Sequence, residues 1–205
     1  MFTGIITDIG KIIEIEDASH RIFKISCSYS ISEIELGSSI SCSGICLTVI
    51  DKGINKNRNF FSVEVSNETD EKTSSKFWKE GNKINLEKSL KIGDELGGHF
   101  VYGHVDCLAQ ISSIKEDKNS NIFTIKYPKE FKGYITKKGS ISLDGISLTI
   151  NDVYEDEDED EETYFTVNII PHTRKLTTWS NISVNSYVNL EVDPIARYVF
   201  ESIKN

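Results

Sequence analysis

The chain has 205 residues, 38% of them hydrophobic and 27% charged, a profile that suits one large globular domain or two small ones. Its formal net charge is −9, but the eight consecutive residues from Glu155 to Glu162 are all acidic, and setting them aside leaves 24 acidic residues against 23 basic ones. The remainder therefore has no basic stripe for a phosphate backbone, and nucleic acid is excluded as a partner. No apolar run approaches the ~20 residues of a membrane span, and the opening Met1-Phe2-Thr3-Gly4 lacks the regions of a signal peptide, so no membrane partner and a cytoplasmic location are expected.

Along the chain, short stretches alternate apolar and polar residues: Ile22-Phe23-Lys24-Ile25-Ser26, Phe61-Ser62-Val63-Glu64-Val65 and Ile122-Phe123-Thr124-Ile125. A period of two predicts half-buried strands. Turn residues interrupt them at Gly37-Ser38, Asp51-Lys52-Gly53, Gly81-Asn82, Gly133 and Lys138-Gly139, the punctuation of an all-β sandwich or barrel. One helix is predicted, from Pro194 to Ile203, with Asp193 as N-cap and Pro194 in the first turn. Its residues Ile195, Tyr198, Val199 and Ile203 form one apolar face, able to cover its own barrel or to meet a neighbouring subunit.

The chain repeats itself. Ser39 to Val49 (SISCSGICLTV) and Ser140 to Ile150 (SISLDGISLTI) agree at seven of eleven positions with an offset of 101. Thr3 to Asp8 matches Tyr102 to Cys107 at offset 99, and two further pairs match at offset 104: Asn67-Glu68-Thr69 with Pro171-His172-Thr173, and Ile84 to Glu87 with Val188 to Glu191. The growing offset predicts loop insertions in the second copy, and the acidic run falls where it rises from 101 to 104, as an extended hairpin tip that solvent covers. Two Greek-key barrels in series are expected, over residues 1–97 and 98–193, followed by the helix over 194–205.

The four cysteines contain no Cys-x-x-Cys pair, and a cytosolic protein seldom keeps disulfides. Cys42 and Cys46, with His99 and His104, raise the question of a metal. On one continuous strand from 40 to 50 the two cysteines would share a face ~13 Å apart at ~3.3 Å per residue, too far for one tetrahedral zinc unless Gly44 bends the chain sharply. No metal is expected.

The polar differences between copies draw attention to Cys46 against Ser147, Ile5 against His104, Glu68 against His172, and Ser89 against Asp193. A symmetric scaffold with unlike polar groups suits a reaction between two molecules of one substrate; ordinary drift between repeats accounts for the same differences. Cys46 in its apolar strand is equally a small buried hydrophobe. His99 and His104 are proton carriers near small residues, or satisfied histidines. Gly44 and Gly145 read as bulge glycines.

The opening MFTGI, the paired GICLT and DGISLTI strands, the GGHFVYGHVD segment and the ending NLEVDPIARY together resemble the riboflavin synthase family of the trimeric α type, over nearly the whole chain. The resemblance implies two six-stranded barrels, each binding one 6,7-dimethyl-8-ribityllumazine, in a homotrimer whose active sites lie between subunits. It implies no metal and no organic cofactor. By position, Gly4, Ile5, Ile6, Cys46, Leu47, Thr48, Glu64, Val65, Ser66, Asn67, Glu68 and Thr69 would line the first site. Gly103, His104, Val105, Lys138, Gly145, Ile146, Ser147, Thr149, Asn168, Ile169, Ile170, Pro171, His172 and Thr173 would line the second. Cys46, His99, His104, Ser147 and Asp193 are expected nearest the chemistry. Asp70 stands where the family usually carries an apolar residue.

Overall fold

The alternating stretches become strands of two antiparallel barrels in a computed structural model that describes residues 1–17, 19–156 and 162–204. The first barrel contains β1 (Asp8–Asp17), β2 (Arg21–Cys27), β3 (Ser39–Cys42), β4 (Ile45–Asn55), β5 (Arg58–Val65) and β6 (Lys83–Lys88), with a short helix α1 (Asn67–Lys72) after β5. The second contains β7 (Cys107–Asp117), β8 (Ser120–Tyr127), β9 (Ser140–Leu143), β10 (Ile146–Asp156), β11 (Glu162–Ile169) and β12 (Tyr187–Val192), with α2 (Pro171–Leu176) after β11. A third helix, α3 (Pro194–Lys204), ends the described chain. The first sheet closes in the order β1-β2-β5-β4-β3-β6, and the second follows the same circuit. The acidic hairpin tip expected between β10 and β11 falls largely on residues 157–161, which lie outside the described residues.

Each barrel is filled by the inward half of its alternation. Phe23 and Ile25 of β2 and Phe61, Val63 and Val65 of β5 are buried, while Ile22 and Lys24 stay partly exposed; Phe123, Ile125, Phe165, Val167 and Ile169 repeat the pattern in the second copy. Trp78 packs edge-on against Phe23 at 5.2 Å between centroids, and Trp179 sits 5.1 Å from Phe123. Truncating one of these buried rings to alanine costs about 3–5 kcal/mol, so each barrel depends on its aromatic centre.

The stretch from 40 to 50 is not one strand. Ser43 (φ 47) and Gly44 (φ 82) form a two-residue hairpin turn, as do Asp144 (φ 48) and Gly145 (φ 78), with Cys42 opposite Ile45 and Leu143 opposite Ile146. Left-handed values at both central residues are the geometry of the tight turn that matches strand twist. Gly44 and Gly145 are therefore turn glycines rather than bulge residues. The fold-back also overturns the ~13 Å separation of the two cysteines. Cys42 faces the barrel core, where burial pushes its thiol far up, whereas Cys46, opposite Ser41, lies on the outward face.

The two turns meet back to back. A Cβ on Gly44 would stand 2.7 Å from the nitrogen of Gly145, and the reverse contact would be 2.8 Å. Around them the repeat becomes reciprocal: Asn85 Nδ2 donates to the carbonyl of Asp144 at 3.0 Å, and Asn189 Nδ2 donates to that of Ser43 at 2.7 Å. Their side-chain carbonyls accept from Thr178 N and Ser74 N, at 2.8 and 2.7 Å. The exchange fixes one barrel against the other about a pseudo-twofold axis.

Candidate active site

Two segments without strand structure precede the first strands, residues 2–7 and 101–106, and each leaves its own barrel for the other. Ile6 packs against the core of the second barrel and Val105 against that of the first. The carbonyl of Gly4 accepts from Ser147 N at 2.8 Å, and the carbonyl of Gly103 accepts from Cys46 N at 2.9 Å. Both glycines have positive φ, 77 and 76, and a Cβ would come within 2.5 Å of the Ser147 Cβ or 2.6 Å of the Cys46 Cβ. Only glycine lets these segments lie so close to the opposite barrel.

The grouping expected from sequence is corrected by this crossing. Gly4 and Ile6 do not join Cys46-Leu47-Thr48; Gly4 meets Ser147 and Ile6 the second core, while Ile5 stands beside Gly97 in a cleft with Thr7, Tyr29 and Ser89. Gly103, His104 and Val105 join Cys46, Glu68 and Thr69 instead, around a cleft of about 240 Å³ that Lys72 and Thr73 complete. The cleft at Cys46 and the Gly4–Ser147 contact therefore each draw on both repeats, a consequence of the crossing that position in the repeat did not reveal.

On the Ser147 side, His99 is held by its own backbone N–H to the carbonyl of Thr3 at 3.1 Å, and its Nδ1 lies 2.7 Å from Ser147 Oγ. The approach needs Gly98, whose Cβ would strike the Thr3 carbonyl at 2.1 Å. Burial lowers the His99 pKa from its ordinary value, with the charge of Asp193 opposing, so the ring is neutral near pH 7. Asp193 itself caps α3, its Oδ1 accepting from Ile195 N at 2.8 Å; the contact with His99 is electrostatic rather than a hydrogen bond. A neutral imidazole beside a hydroxyl can take or return a proton.

On the Cys46 side the corresponding group is a thiol, with His104 from the crossing segment. Helix α1 begins beside it: Ser66 Oγ accepts from Thr69 N at 3.2 Å, and Glu68 pairs with Lys72 at 2.8 Å. Asp70 does not disturb this helix, because Arg21 donates to it at 3.0 Å and Ser75 Oγ at 2.8 Å, making a polar anchor where an apolar residue was expected. The remaining candidates divide by exposure. Thr48, Thr149, Glu64, Asn67, Asn168, Ile170, Pro171 and His172 face outward and Thr173 partly so, while Leu47, Val65, Ile146 and Ile169 turn their side chains into the cores and offer only backbone groups. Lys138 is exposed in a left-handed turn (φ 68), its N–H donating to the carbonyl of Ile150 at 2.8 Å.

Two residues the sequence reading passed over stand behind the crossing segments. Glu87 accepts from Thr3 N at 2.7 Å, Thr3 Oγ at 2.7 Å and Gly4 N at 2.9 Å; Glu191 accepts from Tyr102 N at 2.7 Å and Gly103 N at 2.8 Å. Both carboxyls are only 4% exposed. Their signal was present in the repeated Asn-Leu-Glu of β6 and β12, which served only to align the copies.

The profile of the lumazine binding domain matches the chain twice, over residues 3–89 and 102–193. The riboflavin synthase of Brucella abortus is 44% identical over 202 residues, covering 97% of this chain and 96% of that protein, and that of Bacillus subtilis is 39% identical over 201 residues, covering 98% and 88%. Among solved structures, LumP complexed with riboflavin superposes with a TM-score of 0.77 at 23% identity, covering 94% of this chain and 99% of that one; its complex with 6,7-dimethyl-8-(1'-D-ribityl) lumazine gives 0.75 at 22%. The latter likenesses concern the fold. Two tandem lumazine-binding barrels, and curated relatives at this identity over almost their full length, make the chain a member of the riboflavin synthase family.

Proposed function

We propose that two molecules of 6,7-dimethyl-8-ribityllumazine react on this chain, one giving a four-carbon unit to the other, to yield riboflavin and 5-amino-6-(ribitylamino)uracil. The observation that carries the reading is the pair of pseudo-equivalent crossing contacts with unlike polar groups, Ser147 with His99 at one and Cys46, in a cleft with His104, at the other. Like sites suit like substrates. Unlike groups let one molecule act as donor and the other as acceptor.

The chemistry asks for little beyond placement. The lumazine C7 methyl is acidic because the ring delocalises the anion, so the chain's residues need only move protons and hold the rings. Holding two reactants in register is worth ~7–11 kcal/mol of barrier, and a positioned acid or base adds about 10²- to 10⁴-fold. Neutral His99 takes a proton through Ser147, Cys46 and Asp193 assist addition at the acceptor ring, and the backbone of Gly4–Ile6, Gly103–Val105, Leu47 and Ile146 binds the pyrimidine edge. Thr48, Thr149, Glu64, Lys138 and Asn168 hold the ribityl chains. Such polar groups select against an analogue that leaves them unpaired.

The active unit is a homotrimer with sites closed between subunits. Its support is α3, whose Ile195, Tyr198, Val199 and Ile203 are all exposed, Tyr198 at 71%. An apolar helix face of this kind is normally covered. All four cysteines are free, which fits a reducing cytoplasm.

The test is incubation of the purified protein with 6,7-dimethyl-8-ribityllumazine alone, in the presence of chelator, following riboflavin by absorbance. Turnover is expected. Tight lumazine binding without riboflavin would overturn the catalytic reading in favour of a chromophore-binding protein. Tyr198→Glu should lower the mass seen in sedimentation and the turnover together; full turnover by a monomer would remove the intersubunit site.

A further inference from the structure

We propose that Glu191 and Glu87 are positioning residues, each setting one of the two substrate positions by clamping the crossing segment against the site strand of the other barrel. The inference rests on the proposed reaction and deepens it.

The clamp is a relay of hydrogen bonds through backbone. Glu191 accepts from Tyr102 N and Gly103 N; the Gly103 carbonyl, on the far side of the same residue, accepts from Cys46 N at 2.9 Å. Glu87 accepts from Thr3 and Gly4, whose carbonyl accepts from Ser147 N at 2.8 Å. Each carboxylate thus sits in one barrel and fixes a segment against the site strand of the other. Peptides of positive φ would otherwise swing freely, and an ionised carboxylate accepting several N–H groups is among the stronger restraints available. Both carboxyls accept from loop backbone, and neither stands in an ion pair among the described residues, although the N-terminal charge acts on Glu87.

The two clamps are not equal. Glu87 also receives the Thr3 hydroxyl, whereas Tyr102 at the matching position gives Glu191 only its backbone N–H, and the further contact to Glu191 comes from the His104 backbone. Around Glu191 stand Asp106, His104, Arg197 and Tyr198, but Arg197 donates to Asp106, and Asp106 remains a repulsive neighbour. Burial first, with that like charge adding, pushes the Glu191 carboxyl up to about 7 against the opposing hydrogen bonds. Protonation turns one of its acceptor oxygens into a donor, so the Gly103 clamp weakens as pH falls below neutrality; burial raises the Glu87 carboxyl as well, but the hydrogen bonds from Thr3 and Gly4 and the N-terminal charge oppose the rise, so the Gly4 clamp yields less over the same range.

The probe is a 7-oxo-8-ribityllumazine, which lacks the C7 methyl and so binds without reacting, titrated into the full-length protein by calorimetry. Two bound molecules per chain are expected. E191Q should weaken one of them at least tenfold and leave the other, E87Q should weaken the other one, and the double variant should lose both. Loss of the same molecule in both single variants, or unchanged binding in either, would overturn the proposal. Independently of any variant, the wild type should show one affinity that declines more steeply from pH 8 to pH 6 than the other, and His104→Gln should keep that steeper decline. Two affinities that move in parallel, or a decline that disappears with His104, would equally overturn it. Conversion of the natural substrate by the wild type is scored separately, so a failed clamp is distinguishable from a failed assignment of the reaction.

Discussion

At the outward position of the second site strand, a serine hydroxyl lies 2.7 Å from a buried histidine; at the same position of the first, a thiol faces an open cleft shared with His104 and Thr69. The backbone around the two is nearly superposable in its hydrogen bonding, with a glycine carbonyl from the opposite barrel on each strand nitrogen. On the proposed reaction, the repeat has kept the backbone contacts that would hold substrate and varied the groups that would move protons. That division says where substitutions should be costly to rate and where they should be costly to shape.

The largest effect is expected at His99. His99→Gln should lower turnover by about 10²- to 10⁴-fold with little change in Tm, as for loss of a positioned base; a change below tenfold would equate the two clefts. Since burial holds the His99 pKa below the ordinary ~6.5 of histidine, the neutral form persists as pH falls through that value, and the acid limb of kcat should lie below it. An acid limb above pH 7 would assign the limb to another group.

Next come the crossing glycines. Gly103→Ala forces an L residue into φ +76 and a contact of 2.6 Å with Cys46; the left-handed conformation alone costs about 1–2 kcal/mol. Gly4→Ala should behave alike at Ser147. Each should reduce substrate affinity before it reduces barrel stability, read as a raised KM with near-normal urea unfolding, and a purely global loss of stability would break the link between segment and cleft.

A smaller difference lies under the clefts, where Asp144 accepts from Trp179 Nε1 at 3.0 Å and from Asn189 N at 2.9 Å, while Ser43 in the first copy accepts from Asn85 N at 3.1 Å. Burial raises the Asp144 carboxyl from 3.8 to about 6. A carboxyl whose folded pKa is raised binds its proton more tightly in the native state, so this group's contribution to stability falls as pH rises from about 4 to 6, by at most ~3 kcal/mol. Asp144→Ser should flatten that part of the unfolding curve; an unchanged slope would show that the second copy gains nothing distinctive there. The smallest effect is expected from replacing residues 157–161 by a short neutral linker, which should leave turnover within about twofold, since blocks of like charge repel one another rather than build a site.

The sequence made the strands, the duplication and the terminal helix legible, because alternation and repeated motifs are local signals. Phe23, Phe61 and Phe123 lie in stretches whose alternation alone marks half-buried strands. The crossing was not readable: Gly4 and Ser147 lie far apart in the chain, and nothing in either motif says that one copy's leading segment seals the other's cleft. The turn at Ser43-Gly44 was missed for a related reason. An unbroken run of strand-forming residues conceals a two-residue turn when its only mark is a glycine. Glu87 and Glu191 were hidden in plain view, as charged residues in strands that ordinary burial rules assign to solvent.

The reciprocal seating of each leading segment in the opposite barrel is also the arrangement that two separate copies of one small barrel would adopt around a twofold axis. In such a pair every substitution appears twice, since an isologous interface uses the same surface from both partners. Joining the copies in one polypeptide frees the two clefts from that constraint while keeping the geometry it created. A cysteine here and a serine there, a histidine at 104 where its counterpart is isoleucine, then become inheritable independently. Fusion, on this view, is what allowed a symmetric receptacle for two identical molecules to treat them differently.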